Sequence, residues 1–248
     1  FVSVEAQYFN ISSINTDEFP WVSTIFVARD QNNDFIKDVN TNQFTIVEDG
    51  LTIPNKNLKI ECFENQDVPE LSIVIVVDRS GSMKVPFQKD KPDDTPWQRV
   101  YQGVEAFLNT IKFVGRTKVA LVGFSNDSFL GCPFTNNPDE LLDSLKAINS
   151  SGSTKYDPPY IKPEYYDGNE LKKESAVALL KDRPENMKRI VVFLTDGEPS
   201  VPPKTYQIID SLKYYNISAY NISFLTDLNN DLNEISNSTN GRAYRVEK

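Results

Sequence analysis

The sequence predicts a doubly wound α/β domain with a mostly parallel sheet, preceded by a smaller all-β unit. Three observations carry this. From Leu71 onward, apolar runs of strand length alternate with amphipathic helical stretches. The runs Leu71–Val77, Val119–Phe124 and Arg189–Leu194 are apolar at nearly every position, as strands covered on both faces must be. Before about Gln66 the pattern differs: short alternating runs are broken by turn residues, and no helical period of useful length appears.

In order, Val2, Val4, Ala6 and Tyr8 alternate with polar residues as a half-buried strand does, and strand-like runs follow at Ser23–Arg29, Gln43–Glu48 and Leu58–Phe63. Turn chemistry separates them at 30–34, at Asp49-Gly50 and at Pro54-Asn55. The acidic 30–34 turn lacks the glycine and terminal glutamate of an EF-hand, so it reads as a hairpin turn. Residues 1–67 are therefore expected to form a small sandwich of immunoglobulin-like character.

Residues 68–248 make up the second domain. After the Leu71–Val77 strand, Val100, Val104, Phe107, Leu108 and Ile111 share one helical face. Val119–Phe124 is the next strand, and Pro138 after Asn137 opens a helix through Leu141, Leu142 and Leu145. Leu171–Lys181 reads as helix, Arg189–Leu194 as strand, and Thr205–Tyr215 as helix. Ile217–Phe224 is expected to be a strand, Leu228–Ser236 a helix stopped by Gly241, and Arg242–Val246 the last strand. Strand–helix–strand units of this kind build right-handed crossovers in one sheet.

Composition removes several kinds of chemistry. The chain has 248 residues and a net charge of −9, with no basic cluster to neutralise phosphates, so nucleic acid is not its partner. The run Ile73–Val77 is too short to cross a bilayer. The chain opens at Phe1 rather than methionine and reads as a mature or excised segment. With no histidine, Ser-His-Asp and Cys-His catalysis and histidine-ligated metals are out. The two cysteines, Cys62 and Cys132, are too few for a zinc-thiolate site; they either pair or, the plainer reading, stay as buried thiols. Six Asn-x-Ser/Thr triplets, at Asn10, Asn126, Asn149, Asn216, Asn221 and Asn237, occur in an asparagine-rich chain and say nothing about location. Any metal here must be held by oxygen.

Ligands of doubly wound sheets bind beyond the carboxyl ends of the strands. Two loops leave buried strands there with carboxylates: Asp78-Arg79-Ser80-Gly81-Ser82-Met83 and Thr195-Asp196-Gly197-Glu198. Alternation lets Asp78, Ser80 and Ser82 aim three oxygens at one point around the freely turning Gly81. Two carboxylates with neutral hydroxyls suit a hard cation such as Mg²⁺ and leave it short of negative charge, able to attract another anionic oxygen. Taken singly, the same residues are ordinary helix caps and loop formers.

This pattern, Asp-x-Ser-Gly-Ser-Met after one strand and Thr-Asp-Gly after a later one, resembles the von Willebrand factor type A domain with its metal-ion-dependent adhesion site, a Rossmann-like fold. The resemblance runs from about Val68 to Lys248. It implies that a threonine from a third loop completes the site, and within Ser151-Gly152-Ser153-Thr154 that match is Thr154. The implied metal set is Asp78, Ser80, Ser82, Thr154 and Asp196, holding Mg²⁺, or Mn²⁺ or Ca²⁺, with a partner carboxylate completing the coordination. Asp157 is a candidate outer partner or, more simply, a turn residue before Pro158.

Two long segments flank this site. Lys84–Trp97 carries Phe87 and Trp97, and Lys155–Gly168 carries Tyr156, Tyr160 and Tyr165 among several prolines. Aromatic side chains on rim loops are frequent binding anchors, so these are expected to contact the ligand; packing against the sheet edge is the alternative. The resemblance implies a metal-dependent adhesion or protein-binding module, extracellular or on a cell surface, whose protein partner supplies an Asp or Glu carboxylate. The alternative is a subunit of an intracellular, chelatase-like assembly. An enzyme is not expected, since Ser80 and Ser82 have no base and Ser80 stands where aspartate phosphatases carry their second Asp.

Overall fold

The computed structural model describes residues 8–16, 19–29, 36, 39–61, 70–111, 113, 116–224 and 229–246. The chain divides into two compact units, Phe1–Gln66 and Asp67–Lys248.

In the first unit, β1 (Tyr8–Asn15) and β2 (Ser23–Arg29) pair antiparallel, with a register shift between Ile11 and Ser13. A 3₁₀ turn at Thr41–Gln43 is closed by a capping box on Asn40, whose side chain accepts from the Asn42 N–H at 3.0 Å. The hairpin β3 (Val47–Glu48) and β4 (Leu51–Thr52) turns at Asp49-Gly50, both at positive φ (48° and 81°), as two-residue hairpin turns require. The expected Gln43–Glu48 strand is thus cut to its last two residues. Residues 58–61 of the expected Leu58–Phe63 strand are not in a ladder, and a 3₁₀ turn, Asn55–Asn57, precedes them. The strand expected at Val2–Ala6, the turn at 30–34 and Cys62 lie outside the described residues. Phe9, Phe26 and Phe44 cluster with ring centroids 5.0 to 6.0 Å apart, yet no described side chain of this unit is fully buried. Two separate ladders do not amount, among the described residues, to the expected sandwich.

The second unit is built on six strands. These are β5 (Leu71–Asp78), β6 (Lys118–Phe124), β7 (Ser128–Thr135), β10 (Lys188–Thr195), β11 (Ile217–Ser223) and β12 (Arg242–Arg245). Their order is β12-β11-β10-β5-β6-β7, parallel except for β7, which pairs antiparallel with β6. Chain order reverses direction between β5 and β10, which makes the crevice at their carboxyl ends the natural ligand position. Their ladder closes with Leu194 opposite Val77, so Asp78 and Thr195 leave the sheet side by side.

Side chains alternate between two cores. Val74, Val76, Ala120, Val122, Val191, Phe193 and Ala219 face one side. That side is covered by α3 (Asp157–Ile161), α4 (Ala176–Leu180), α5 (Thr205–Tyr214) and α6 (Asn230–Ser238). Ile73, Ile75, Val77, Val119 and Leu121 face the other, covered by α1 (Pro96–Thr110) and α2 (Pro138–Lys146). There Ile190, Val192 and Ile222 stay half-buried, and a groove of about 300 Å³ lies between α1 and these strands. Burying one such aliphatic side chain contributes about 1.5–3 kcal/mol, so the double-faced strands supply most of the fold's apolar stabilisation.

Local signals place the helices. Thr95 caps α1 by accepting from the Gln98 N–H at 3.1 Å, with Pro96 in the first turn; Asn137 and Pro138 do the same for α2. The expected helix at Leu171–Lys181 begins only at Ala176, where Ser175 caps it. Before it, β9 (Glu170–Lys172) pairs with β8 (Tyr165–Asp167) across Gly168, whose φ is +61°. Strand β7 was not expected, because Gly131 and Pro133 interrupt its pattern; it is a bulged edge strand, the position where both residues are tolerated. Gly241 lies so close to β11 that a Cβ there would sit 1.8 Å from the Ala219 carbonyl oxygen. Cys132 is a buried free thiol. Among the described residues no helix is long and apolar enough to cross a membrane.

Candidate metal centre

Asp78 ends β5 fully buried. One carboxylate oxygen accepts the Ser80 N–H at 2.7 Å and the other accepts the Thr195 hydroxyl at 2.6 Å, so the group is held by its own following loop and by the neighbouring strand β10. The 3₁₀ turn Gly81–Lys84 then places the Ser80 and Ser82 hydroxyls 3.0 Å apart, and the Ser82 hydroxyl donates to Asp196 at 2.9 Å. Met83, fully buried, anchors the turn in the core. The buried Thr154 hydroxyl lies near the Asp78 carboxyl. It passes so close to Gly197 that a Cβ there would stand 3.1 Å from Thr154 Oγ1 and 3.9 Å from Ser82 Oγ. The structure thus brings Asp78, Ser80, Ser82, Thr154 and Asp196 together.

Three loops are fastened to one another. The first and second join through Gly81 N–H to Gly152 O at 3.1 Å and Ser151 N–H to Arg79 O at 2.7 Å. The Arg79 guanidinium adds bonds to Asn149 O at 3.0 Å and Ser151 Oγ at 3.2 Å. Gly152, at φ +88°, tucks against Ser125, and Asn126 accepts the Ser153 N–H at 2.8 Å. Ser200 N–H reaches Thr154 O at 2.8 Å, joining the third loop to the second. Tyr156 joins them again: its hydroxyl donates to Gly197 O at 2.7 Å. Asp157 accepts the Lys204 N–H at 2.8 Å just before α5 begins, which gives it a bracing role in the fold.

The electrostatics of this cluster are unresolved by the protein itself. Burial drives the Asp78 carboxyl above the usual aspartate range, with the hydrogen bonds from Thr195, Ser80 and Thr154 opposing it. Burial first, and then the charge of Asp78, push Asp196 up to about 6. Among the described residues no basic side chain ranks with these causes. Burying ionised carboxylates without a counter-ion is costly, so the arrangement is one that a cation would stabilise. Among the described residues no three acidic or thiol side chains converge, which leaves two carboxylates and three hydroxyls as the donor set. Oxygen-only donors of this number and charge fit a hard divalent cation that retains further ligands.

The aromatic residues expected around the ligand are placed otherwise. Tyr156 and Tyr160 are 1% and 0% exposed, and their rings pack on Phe193 at centroid distances of 5.3 and 4.8 Å. They are core, because the segment after Thr154 dives inward as α3 instead of looping over the rim. Phe87 and Trp97 are half-buried against the α1 core, with the Arg99 guanidinium over the Phe87 ring. Tyr165 is exposed on the β8–β9 hairpin, beside Lys162. Exposed apolar side chains close in sequence to the metal set belong instead to Val85 and Val201. Sequence reasoning also missed Thr195, whose role follows from the β5–β10 register, and Asn126, whose turn lies in the unexpected β6–β7 hairpin. Asn221, one of the Asn-x-Ser sites, is fully buried, accepting from the Tyr160 hydroxyl at 2.5 Å, and no glycan fits there in the folded chain.

A family model of the von Willebrand factor type A domain matches residues 72–248. No curated protein matches the chain. Among solved structures, a von Willebrand factor type A protein from Catenulispora acidiphila is similar at a TM-score of 0.55 and 15% identity, over 73% of this chain and 39% of that one. The SpRpn10 VWA domain gives 0.52 and 16%, over 72% and 88%. Proximal thread matrix protein 1 from the mussel byssus, with a zinc-occupied MIDAS motif, gives 0.52 and 14%, over 72% and 44%. The chain spans less than half of the Catenulispora and mussel chains. At these identities the likeness is one of fold.

Proposed function

The chain belongs to the von Willebrand factor type A domain family, and from that premise we propose that its carboxyl-edge centre binds a divalent metal and, through it, an acidic group on a protein partner. The observation that carries the reading is a pair of neighbouring carboxylates, buried Asp78 and half-buried Asp196, bridged by the Ser80–Ser82 turn, with no basic side chain among the described residues to balance them. Asp78, Ser80, Ser82, Thr154 and Asp196 would hold the ion. Bound there, Mg²⁺, or Mn²⁺ or Ca²⁺, would act as a Lewis acid toward one more oxygen from outside the chain, such as that of a carboxylate.

The residues themselves do the orienting. Thr195 fixes the Asp78 carboxylate from the neighbouring strand, the 3₁₀ turn sets the serine hydroxyls, and Gly197 leaves room beside Thr154. That the mussel protein of the same fold carries zinc in its MIDAS motif supports a metal at this position. The reading is of a binding module and not an enzyme: the chain has no histidine to activate a nucleophile, and the Ser80 and Ser82 hydroxyls bond each other and Asp196. An extracellular or cell-surface location is part of the same proposal.

Calorimetric titration of Mg²⁺ into metal-free protein tests it. Saturable binding near one equivalent, lost when Asp78 and Ser80 are both replaced by alanine, is the expected result. Equal heats from the wild type and the double variant would defeat the reading.

A further inference from the structure

We propose that Tyr156 is a positioning residue for the metal centre, setting the spacing between the loop that carries Thr154 and the loop that carries Asp196; this rests on the metal-binding reading above. Tyr156 follows closely on Thr154 in one loop, and the carbonyl it bonds, that of Gly197, directly follows Asp196 in the other. Its ring meets Phe193 edge-on at 5.3 Å, and Phe193 lies on the strand that delivers Asp196. One side chain therefore grips the third loop on both sides of Asp196, by its ring before and by its hydroxyl after.

The grip is buried. Tyr156 is 1% exposed, so water does not replace its hydroxyl on the Gly197 carbonyl. Ser200 joins the same loops through the Thr154 carbonyl, but it is an exposed residue further along the third loop, where water competes. Without the phenolic hydroxyl the Gly197–Glu198 peptide keeps only the longer bond from the Thr195 hydroxyl, at 3.3 Å, and the turn that follows Asp196 is held less firmly. The Asp196 carboxylate then has to be ordered by the metal at the moment of binding. Groups that orient a ligand without touching the metal typically contribute 10–100-fold to metal affinity.

The test replaces the hydroxyl and keeps the ring. Mg²⁺ and Ca²⁺ are titrated by calorimetry into wild type, Tyr156→Phe and Tyr160→Phe, and each protein's thermal unfolding is followed. Tyr160 is the matched control: it stacks on the same Phe193, and its hydroxyl is buried too, but it bonds Asn221 on β11 and none of the three loops. Tyr156→Phe is expected to weaken Mg²⁺ by about tenfold. Ca²⁺, which tolerates longer and less regular coordination, should weaken less, so the Mg²⁺ to Ca²⁺ preference falls. Tyr160→Phe should lower the unfolding temperature similarly and leave both affinities where they were. Unchanged Mg²⁺ affinity in Tyr156→Phe, or an equal loss in both variants, overturns the inference while the metal reading stands. Failure of the wild type to bind either ion overturns the metal reading, and the inference with it.

Discussion

Where β5 begins, Glu70 takes the Arg116 backbone N–H at 2.8 Å and its guanidinium at 2.6 Å, and that guanidinium holds its carboxyl below the usual glutamate range. Beside it Arg189, nearly buried, donates to the carbonyls of Tyr215 and Arg183, and Arg183 donates to Ser72. Where the same strand ends, Asp78 and Asp196 sit with hydroxyls and each other, and both are pushed above the usual aspartate range. One end of the sheet turns its charged groups onto local partners. The other concentrates like charge and leaves it for something outside the chain to neutralise. On the metal-binding reading proposed above, the contrast separates residues kept for stability from residues that cost stability and are kept for binding.

That contrast can be broken most decisively at Asp78. Asp78→Asn keeps the shape and a hydrogen-bond acceptor but removes the charge. Excess Mg²⁺ at about 100 times its Kd should stabilise the wild type by about 2.7 kcal/mol, and the variant not at all. Metal-free, the variant should melt no lower than the wild type, because it no longer buries unpaired like charges; differential scanning calorimetry reads both. A metal-free variant melting well below wild type would show that Asp78 is primarily structural.

The next effect is one of pH. Mg²⁺ needs Asp196 ionised, so its affinity should fall by about tenfold for each pH unit below about 6 and level off above it. For the metal-free fold the sign is opposite. The folded pKa is raised above the unfolded value, so ionising Asp196 costs stability. Its contribution is therefore favourable at low pH and is lost as pH rises through about 6. Titrations and melts at pH 5, 6 and 7 check the pair; affinity flat across that range would remove Asp196 from the metal set. The smallest effect belongs to the other end. Arg116→Ala, breaking a half-exposed pair with Glu70, should lower the unfolding temperature only slightly, as solvent screens such pairs. It should leave Mg²⁺ affinity unchanged, and a change would mean that the two ends communicate.

Strands β5, β6 and β10 were legible because a strand buried on both faces leaves an unbroken apolar run. So were Asp78, Ser80 and Ser82, because their spacing along a single loop already encodes convergence, and Asp196, because it leaves a second buried strand at the same sheet edge. Thr195 was legible as a residue but not as a partner of Asp78, since only the register of two strands far apart in sequence brings them together. Tyr156 and Tyr160 were misread for a related reason. An aromatic residue beside a binding loop has the same one-dimensional signature whether it points at solvent or into the core, and only the inward turn of α3 decides. In β7 and the β8–β9 hairpin, pairing across a turn prevailed over local preference, which Gly131, Pro133 and the helical spacing after Leu171 obscured.

The close pass of Gly241 over Ala219 has a consequence for how this chain can vary. Its backbone torsion is ordinary, so nothing in local conformation calls for glycine; the neighbouring strand's carbonyl does, by occupying the space a side chain would need. A mutational scan sorted for folded protein alone would therefore find position 241 nearly closed to substitution and Asp78 permissive. Sorted for metal binding, Asp78 would close as well. Positions intolerant in both screens mark the architecture, and those intolerant only in the second mark what the architecture is for.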